Sequence, residues 1–258
     1  MKAEYNVWNS ELLYTIIIHF IINRLLATYL KNHTIYGKSF GSHNSKYWCF
    51  LQSMVIQSCI FIPSGLLIGS HYNFQSKKIF NSSVENDYSP YSYILSYQII
   101  AYMITTLENC WPNWDLLLHH IGGFNTTLFF LYESDSLDIY LLGIMCLEIG
   151  SFTMNLTQVI QMLFKNKKNN KSNNNNKNDR FSLEFMFETI NLIVFTVGHI
   201  IGIWFVYEIC FIQPGRFESP YFRYWFLFQS SAIVLLRQKA ALYSFFSFLQ
   251  EEKGKKQK

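Results

Sequence analysis

Residues 114–132 read WDLLLHHIGGFNTTLFFLY, an apolar run about as long as a membrane-spanning helix. A helix needs about 20 mostly apolar residues to cross the hydrocarbon core of a bilayer. The run lacks the two-residue alternation of a barrel strand and is longer than such a strand, so it predicts a helix in the membrane. Inside it lie an aspartate and two adjacent histidines, Asp115, His119 and His120, which are unfavourable in lipid.

Six further apolar runs flank this segment and extend the prediction to the whole chain. Only 15% of the 258 residues are charged, whereas soluble domains have about a quarter. The runs predict an all-α, multi-pass transmembrane bundle of about seven helices. The predicted spans are residues 11–30, 47–69, 91–107, 114–132, 137–164, 183–212 and 221–249.

The loops between these spans differ in charge and therefore predict an orientation. Residues 31–46, 165–180 and 251–258 are rich in lysine, whereas residues 133–138 are acidic. The positive-inside rule places the basic loops and the carboxyl terminus in the cytosol. The segment KNKKNNKSNNNNKNDR, residues 165–180, has nothing to bury and is expected to be disordered. The basic residues form no stripe with exposed aromatics, so no nucleic-acid partner is expected.

The polar residues of the fourth span indicate a site facing the interior of the bundle. An ionisable group at mid-bilayer costs roughly 2.5–3.5 kcal/mol, so its default interpretation is functional. Asp115 and His119 are four residues apart and share a helical face, so the carboxylate could hold the imidazole. His120 lies about 100° round the helix from His119. Two neighbouring imidazoles are not easily both protonated, so at least one is available as a base or nucleophile.

Two later spans also carry polar faces. In the fifth span a polar stripe is formed by Glu148, Ser151, Asn155 and Gln158. In the sixth, Asn191 and His199 lie near one face. Such stripes can also simply bond helices together in lipid. Arg237, inside the last apolar run, is expected at the cytosolic surface unless it has a partner. Adjacent histidines and scattered cysteines do not predict a metal site, and no cofactor is expected.

The segments LLLHHIGGFNTTLFFLY, residues 116–132, and LEIGSFTMN, residues 147–155, resemble the TLC (Tram–Lag–CLN) domain. That family has a His-His pair in one helix and an E-x-S-x-x-x-N pattern in the next. The matching positions are His119, His120, Glu148, Ser151 and Asn155.

The resemblance covers residues 43–252 as a TLC domain of six helices. Residues 1–42 then form an additional helix with its loop, and residues 253–258 a basic cytosolic tail. The family resemblance implies a bundle that encloses a membrane cavity for lipid or acyl chains. In ceramide synthases of this family, the histidine pair serves acyl transfer from acyl-CoA to a sphingoid amine.

The sequence departs from the ceramide synthase pattern at two places. Gly123 occupies the position of a threonine, and DIYLLGIMC, residues 138–146, lacks the HD-x-x-D cluster. The resemblance therefore implies a protein of lipid homeostasis that binds membrane lipid or acyl chains, without synthase chemistry. The candidate catalytic residues are His119, His120 and Glu148. The candidate lipid-binding residues are Asp115, Ser151, Asn155, Asn191 and His199.

Two alternative functions accompany this prediction. The first is an acyl-CoA-dependent N-acyltransferase of the ceramide synthase type. The second is a trafficking adaptor or chaperone of the endoplasmic reticulum, because Lys255 and Lys256 match the positions of a dilysine retrieval signal. The same lysines favour the endoplasmic reticulum over the plasma membrane as the compartment. The sequence predicts no particular oligomeric state.

Overall fold

The computed structural model describes residues 10–32, 51–75, 79, 89–110, 114–133, 136–170, 177–212, 217 and 220–256. Over these residues the chain forms seven helices and no strand, so the predicted all-α helical bundle is confirmed. The helices are α1 (Ser10–Asn32), α2 (Leu51–His71), α3 (Pro90–Cys110), α4 (Trp114–Glu133), α5 (Leu137–Asn170), α6 (Lys177–Tyr207) and α7 (Pro220–Lys256). Helix α2 contains the π-turn Gln57–Phe61, and α6 continues into the π-turn Glu208–Ile212.

Five of the described helices are long and apolar enough to cross a membrane, namely α1, α2, α5, α6 and α7. The protein is therefore an integral membrane protein. Of the remaining two helices, α3 is buried at its centre, where Ile99, Ile100 and Ala101 are fully buried. Helix α4 exposes Leu118 and buries His120, so it has an outward apolar face and an inward face that carries polar residues. Polar residues on an inward face meet other helices rather than lipid.

Helices α5 and α6 extend further into the Asn/Lys segment than predicted. Helix α5 continues to Asn170 and α6 begins at Lys177, so the expectation of disorder across residues 165–180 is wrong for both flanks. Residues 171–176 lie outside the described part of the chain. The physical reason is that extending an existing helix costs far less than nucleating one, and lysine is a good helix former.

Helix α5 occupies the centre of the bundle and contacts α2, α3, α4 and α6. Helix α1 packs on α3, and α7 packs on α6 and α4. The buried core runs between these helices and includes Phe61, Ile100, Phe130 and Leu141. Polar side chains on α5 therefore face other helices rather than lipid, and α5 carries the centre of the candidate site.

Candidate functional site

A largely buried ion pair joins α5 and α7. Arg237 Nη1 lies 3.6 Å from Glu148 Oε1, and the two side chains are only 12% and 8% exposed. Nη2 of the same guanidinium donates to the Leu147 carbonyl at 2.8 Å and to the Ser151 hydroxyl. The expectation that Arg237 lies at the cytosolic surface is therefore wrong. Its partners inside the bundle compensate for its charge in an apolar helix.

A glutamine of α2 completes the environment of Glu148. Gln57 Nε2 donates to Glu148 Oε2 at 2.7 Å, and Asn155 Nδ2 donates to Gln57 Oε1 at 3.2 Å. Gln57 is 3% exposed and is the first residue of the π-turn in α2. Both oxygens of the carboxylate are thus paired, one with α7 and the other with α2. Sequence analysis missed Gln57, although an amide side chain inside an apolar run was a usable signal.

The two adjacent histidines face different surroundings. Their rings are nearly perpendicular, with centroids 5.7 Å apart. His120 is buried against α3, where its Nδ1 lies 3.1 Å from Thr106 Oγ1 and its ring 5.9 Å from that of Tyr102. The Nδ1 atom of His119 is buried and has no hydrogen-bond partner among the described residues. His119 therefore has an unpartnered polar atom inside the bundle, whereas His120 is bonded to α3.

His119, Glu148 and Arg237 line one cavity inside the bundle. Its volume is about 80 Å³, whereas a single water needs roughly 10–15 Å³. The rest of the wall is mainly apolar. Its members include Met103, Ile144, Val206, Ile209, Phe226 and Val234. The cavity thus combines a histidine, a glutamate and an arginine with an apolar body.

His119, Glu148 and Arg237 lie at one end of this cavity. Helices α5 and α7 meet at two levels: Glu148 with Arg237 at 3.6 Å, and Tyr140 with Phe226 at a centroid distance of 6.1 Å. All four residues line the cavity. Glu148 is eight residues beyond Tyr140, and Arg237 is eleven beyond Phe226. At 1.5 Å per residue the two levels are roughly 12–16 Å apart. The cavity is therefore elongated, with an ionic end and an aromatic end.

The glycine next to the histidine pair allows α7 to approach α4. Gln229 Nε2 donates to the Gly122 carbonyl and, at 2.5 Å, to the Thr126 hydroxyl. A Cβ atom at Gly122 would lie 2.8 Å from Gln229 Nε2 and 3.2 Å from Ile233 Cδ1. A Cβ there would require the Gln229 amide to shift from its place on α4. The glycine therefore leaves room for the Gln229 side chain, which connects α7 with α4.

The remaining predicted site residues have other positions. Ser151 and Asn155 belong to the polar network around Glu148 and do not line the cavity. Asn191 accepts a hydrogen bond from the Thr153 hydroxyl at 3.2 Å, so it connects α6 with α5. His199 Nδ1 lies 2.7 Å from an oxygen of Gln238, which connects α6 with α7. The side chain of Asp115 lies outside the described residues, so its predicted contact with His119 stays a prediction.

Comparison with protein-family models, with curated proteins and with solved structures finds no match for this chain. The resemblance to the TLC domain accordingly stays a prediction from the His-His and E-x-S-x-x-x-N motifs. The functional conclusion depends on the geometry of the cavity.

Proposed function

We propose that the chain is a TLC-type membrane protein that acts in lipid homeostasis by binding the acyl chain of a lipid in this cavity. The observation that carries the proposal is an elongated apolar cavity inside a membrane bundle with His119, Glu148 and Arg237 at one end. Acyl chains are the most abundant apolar ligands in a membrane. The polar group that ends such a chain would find hydrogen-bonding partners at the ionic end.

The polar end would supply most of the selectivity of binding. An acyl chain that moves from the bilayer into the bundle leaves one apolar environment for another, so its transfer alone gives little driving force. A polar group deep in the bilayer, by contrast, lacks hydrogen-bond partners and gains from meeting them. A guanidinium has five N–H donors, and the described acceptors of Arg237 are Glu148, Leu147 and Ser151. His119 Nδ1 adds one further unpartnered group.

Replacing His119 with alanine is expected to weaken the binding of a medium-chain fatty acid by roughly five- to tenfold. The lost hydrogen bond is worth about 1–1.5 kcal/mol, and each 1.4 kcal/mol corresponds to a factor of ten in affinity. The measurement is equilibrium binding of a radiolabelled fatty acid to the full chain, purified in detergent. His199→Ala is the matched control, because His199 is a buried histidine of the bundle that does not line the cavity. Equal losses in both variants, or no binding by the unmodified chain, would refute the proposal.

An acyltransferase is the second candidate function, favoured by His119, which lines the cavity and whose Nδ1 has no hydrogen-bond partner among the described residues. An imidazole nitrogen could attack the carbonyl carbon of an acyl-CoA, and the thiolate of CoA would leave with the proton that the ring gives up. Attack of an amine on the acyl-imidazole would then form the amide and restore the ring. Intact-mass spectrometry after incubation with acyl-CoA tests this step. An acyl adduct that His119→Ala abolishes supports it, and the absence of adduct and amide product rejects it.

A further inference from the structure

Four packed aromatic rings close the end of the cavity that lies away from the ion pair. We name this cluster the aromatic floor; it consists of Phe130, Tyr140, Phe217 and Phe226. The Phe130 ring stacks on Tyr140 at 4.3 Å and meets the edge of Phe226 at 4.9 Å. Phe217 lies 6.3 Å from Phe226. All four side chains are buried. Among the described residues they therefore form an aromatic wall at this end of the cavity.

The aromatic floor is held by hydrogen bonds as well as by packing. The hydroxyl of Tyr140 lies 2.9 Å from that of Thr127, which in turn donates to the Gly123 carbonyl at 2.7 Å. Tyr140 and Phe226 form the face towards the cavity, and Phe130 and Phe217 lie behind them. Moving rings inside a close-packed cluster is unfavourable, because the displaced atoms meet others at once. The floor therefore acts as a fixed wall.

The distance between the two ends of the cavity limits the ligand. The ionic and aromatic levels are roughly 12–16 Å apart by helical rise. An extended hydrocarbon chain advances roughly 1.3 Å per carbon, given a C–C bond near 1.5 Å. A chain whose head lies at the ion pair therefore reaches the floor after about ten carbons. A longer chain must either bend or move its head away from His119 and Arg237.

We infer that Tyr140 and Phe226 determine specificity by selecting acyl chains of medium length, roughly ten carbons. The inference depends on the proposed function, because it assumes that an acyl chain occupies the cavity. It goes further in naming the substrate class and the residues that select it. Removing bulk from the floor should then lengthen the preferred chain, and adding bulk to the cavity body should shorten it.

The test is a series of dissociation constants for saturated fatty acids of increasing length, measured on the full chain in detergent. For Phe226→Ala we expect the fatty acid that binds most tightly to be about three carbons longer, because the variant opens the space of a ring. Val234→Phe adds a ring to the cavity wall between the two levels. For this variant we expect the fatty acid that binds most tightly to be shorter. Phe217→Ala is the matched control: it removes a ring from the same floor that does not face the cavity.

The outcomes separate this inference from the proposed function. A shift for Phe226→Ala or Val234→Phe, with none for Phe217→Ala, supports the selection of chain length. If Phe226→Ala does not fold, Val234→Phe alone decides the question. If all variants that fold bind fatty acids tightly and prefer the same length, the inference is overturned. The proposed function then still stands. Failure of the unmodified chain to bind any fatty acid overturns the proposed function itself.

Discussion

Replacing Glu148 with alanine should lower the free energy of unfolding by about 3–5 kcal/mol, the usual cost of leaving one partner of a buried ion pair alone. Arg237 would keep its positive charge while only 12% exposed, with the Leu147 carbonyl and the Ser151 hydroxyl as its remaining described acceptors. Gln57 would lose the acceptor that lies 2.7 Å from its Nε2. The measurement is reversible unfolding of the purified chain in mixed micelles, followed by intrinsic fluorescence.

A double variant makes this prediction specific. Glu148→Met combined with Arg237→Met removes both charges and keeps similar volume. Because replacing a whole buried ion pair with apolar residues is often neutral or even stabilising, the double variant should recover most of the stability lost in Glu148→Ala. Two results would contradict this account of the ion pair. Either Glu148→Ala is as stable as the unmodified protein, or the double variant is no more stable than Glu148→Ala.

Replacing Gly198 with alanine should destabilise the protein by about 1–3 kcal/mol, because the added methyl group overpacks the contact between α5 and α6. A Cβ atom at this position would lie 2.6 Å from the backbone carbonyl oxygen of Cys146. Backbone cannot rotate aside as a side chain can, so the two helices must separate. The same unfolding measurement in mixed micelles gives the loss of stability.

The matched control for Gly198→Ala is Gly143→Ala, on the facing helix α5. A Cβ atom there would meet the Cβ of Phe205 at 3.4 Å, an ordinary van der Waals contact. Since alanine is favoured over glycine by about 1 kcal/mol inside a helix, this variant should be as stable as the unmodified chain or slightly more stable. Equal losses for both variants would contradict the close approach of α6 to Cys146.

Much of the fold could be predicted from the sequence because the thickness of a bilayer fixes the length of an apolar run. The predicted fourth span, residues 114–132, agrees with helix α4 (Trp114–Glu133) within one residue. The ends of α5 and α6 could not be predicted in this way. There the helices continue into polar residues, where helix propensity rather than the membrane decides the boundary.

The candidate site could be predicted only in part. Spacing along single helices identified His119 and Glu148, both of which line the cavity. Gln57 was missed and Arg237 was expected at the cytosolic surface, because their contacts with Glu148 join helices that are distant in sequence. The requirement that a buried charge needs a partner was the available signal, and it pointed from Arg237 to an acid.

The different surroundings of His119 and His120 depend on Thr106 of α3, which no pattern within α4 reveals. The endoplasmic reticulum stays a prediction from the tail lysines.

The most direct test of the central claim is to locate the methyl end of a bound acyl chain. A ten-carbon fatty acid with a photoreactive diazirine at its methyl end would be bound to the purified chain, irradiated, and mapped by peptide mass spectrometry. With the head at Arg237 and His119, we expect adducts at the aromatic end, on Tyr140, Phe226 or Ile209, and their loss when unlabelled fatty acid is added in excess. Adducts confined to outward-facing side chains such as Tyr243, which is 75% exposed, would contradict a chain bound inside the bundle.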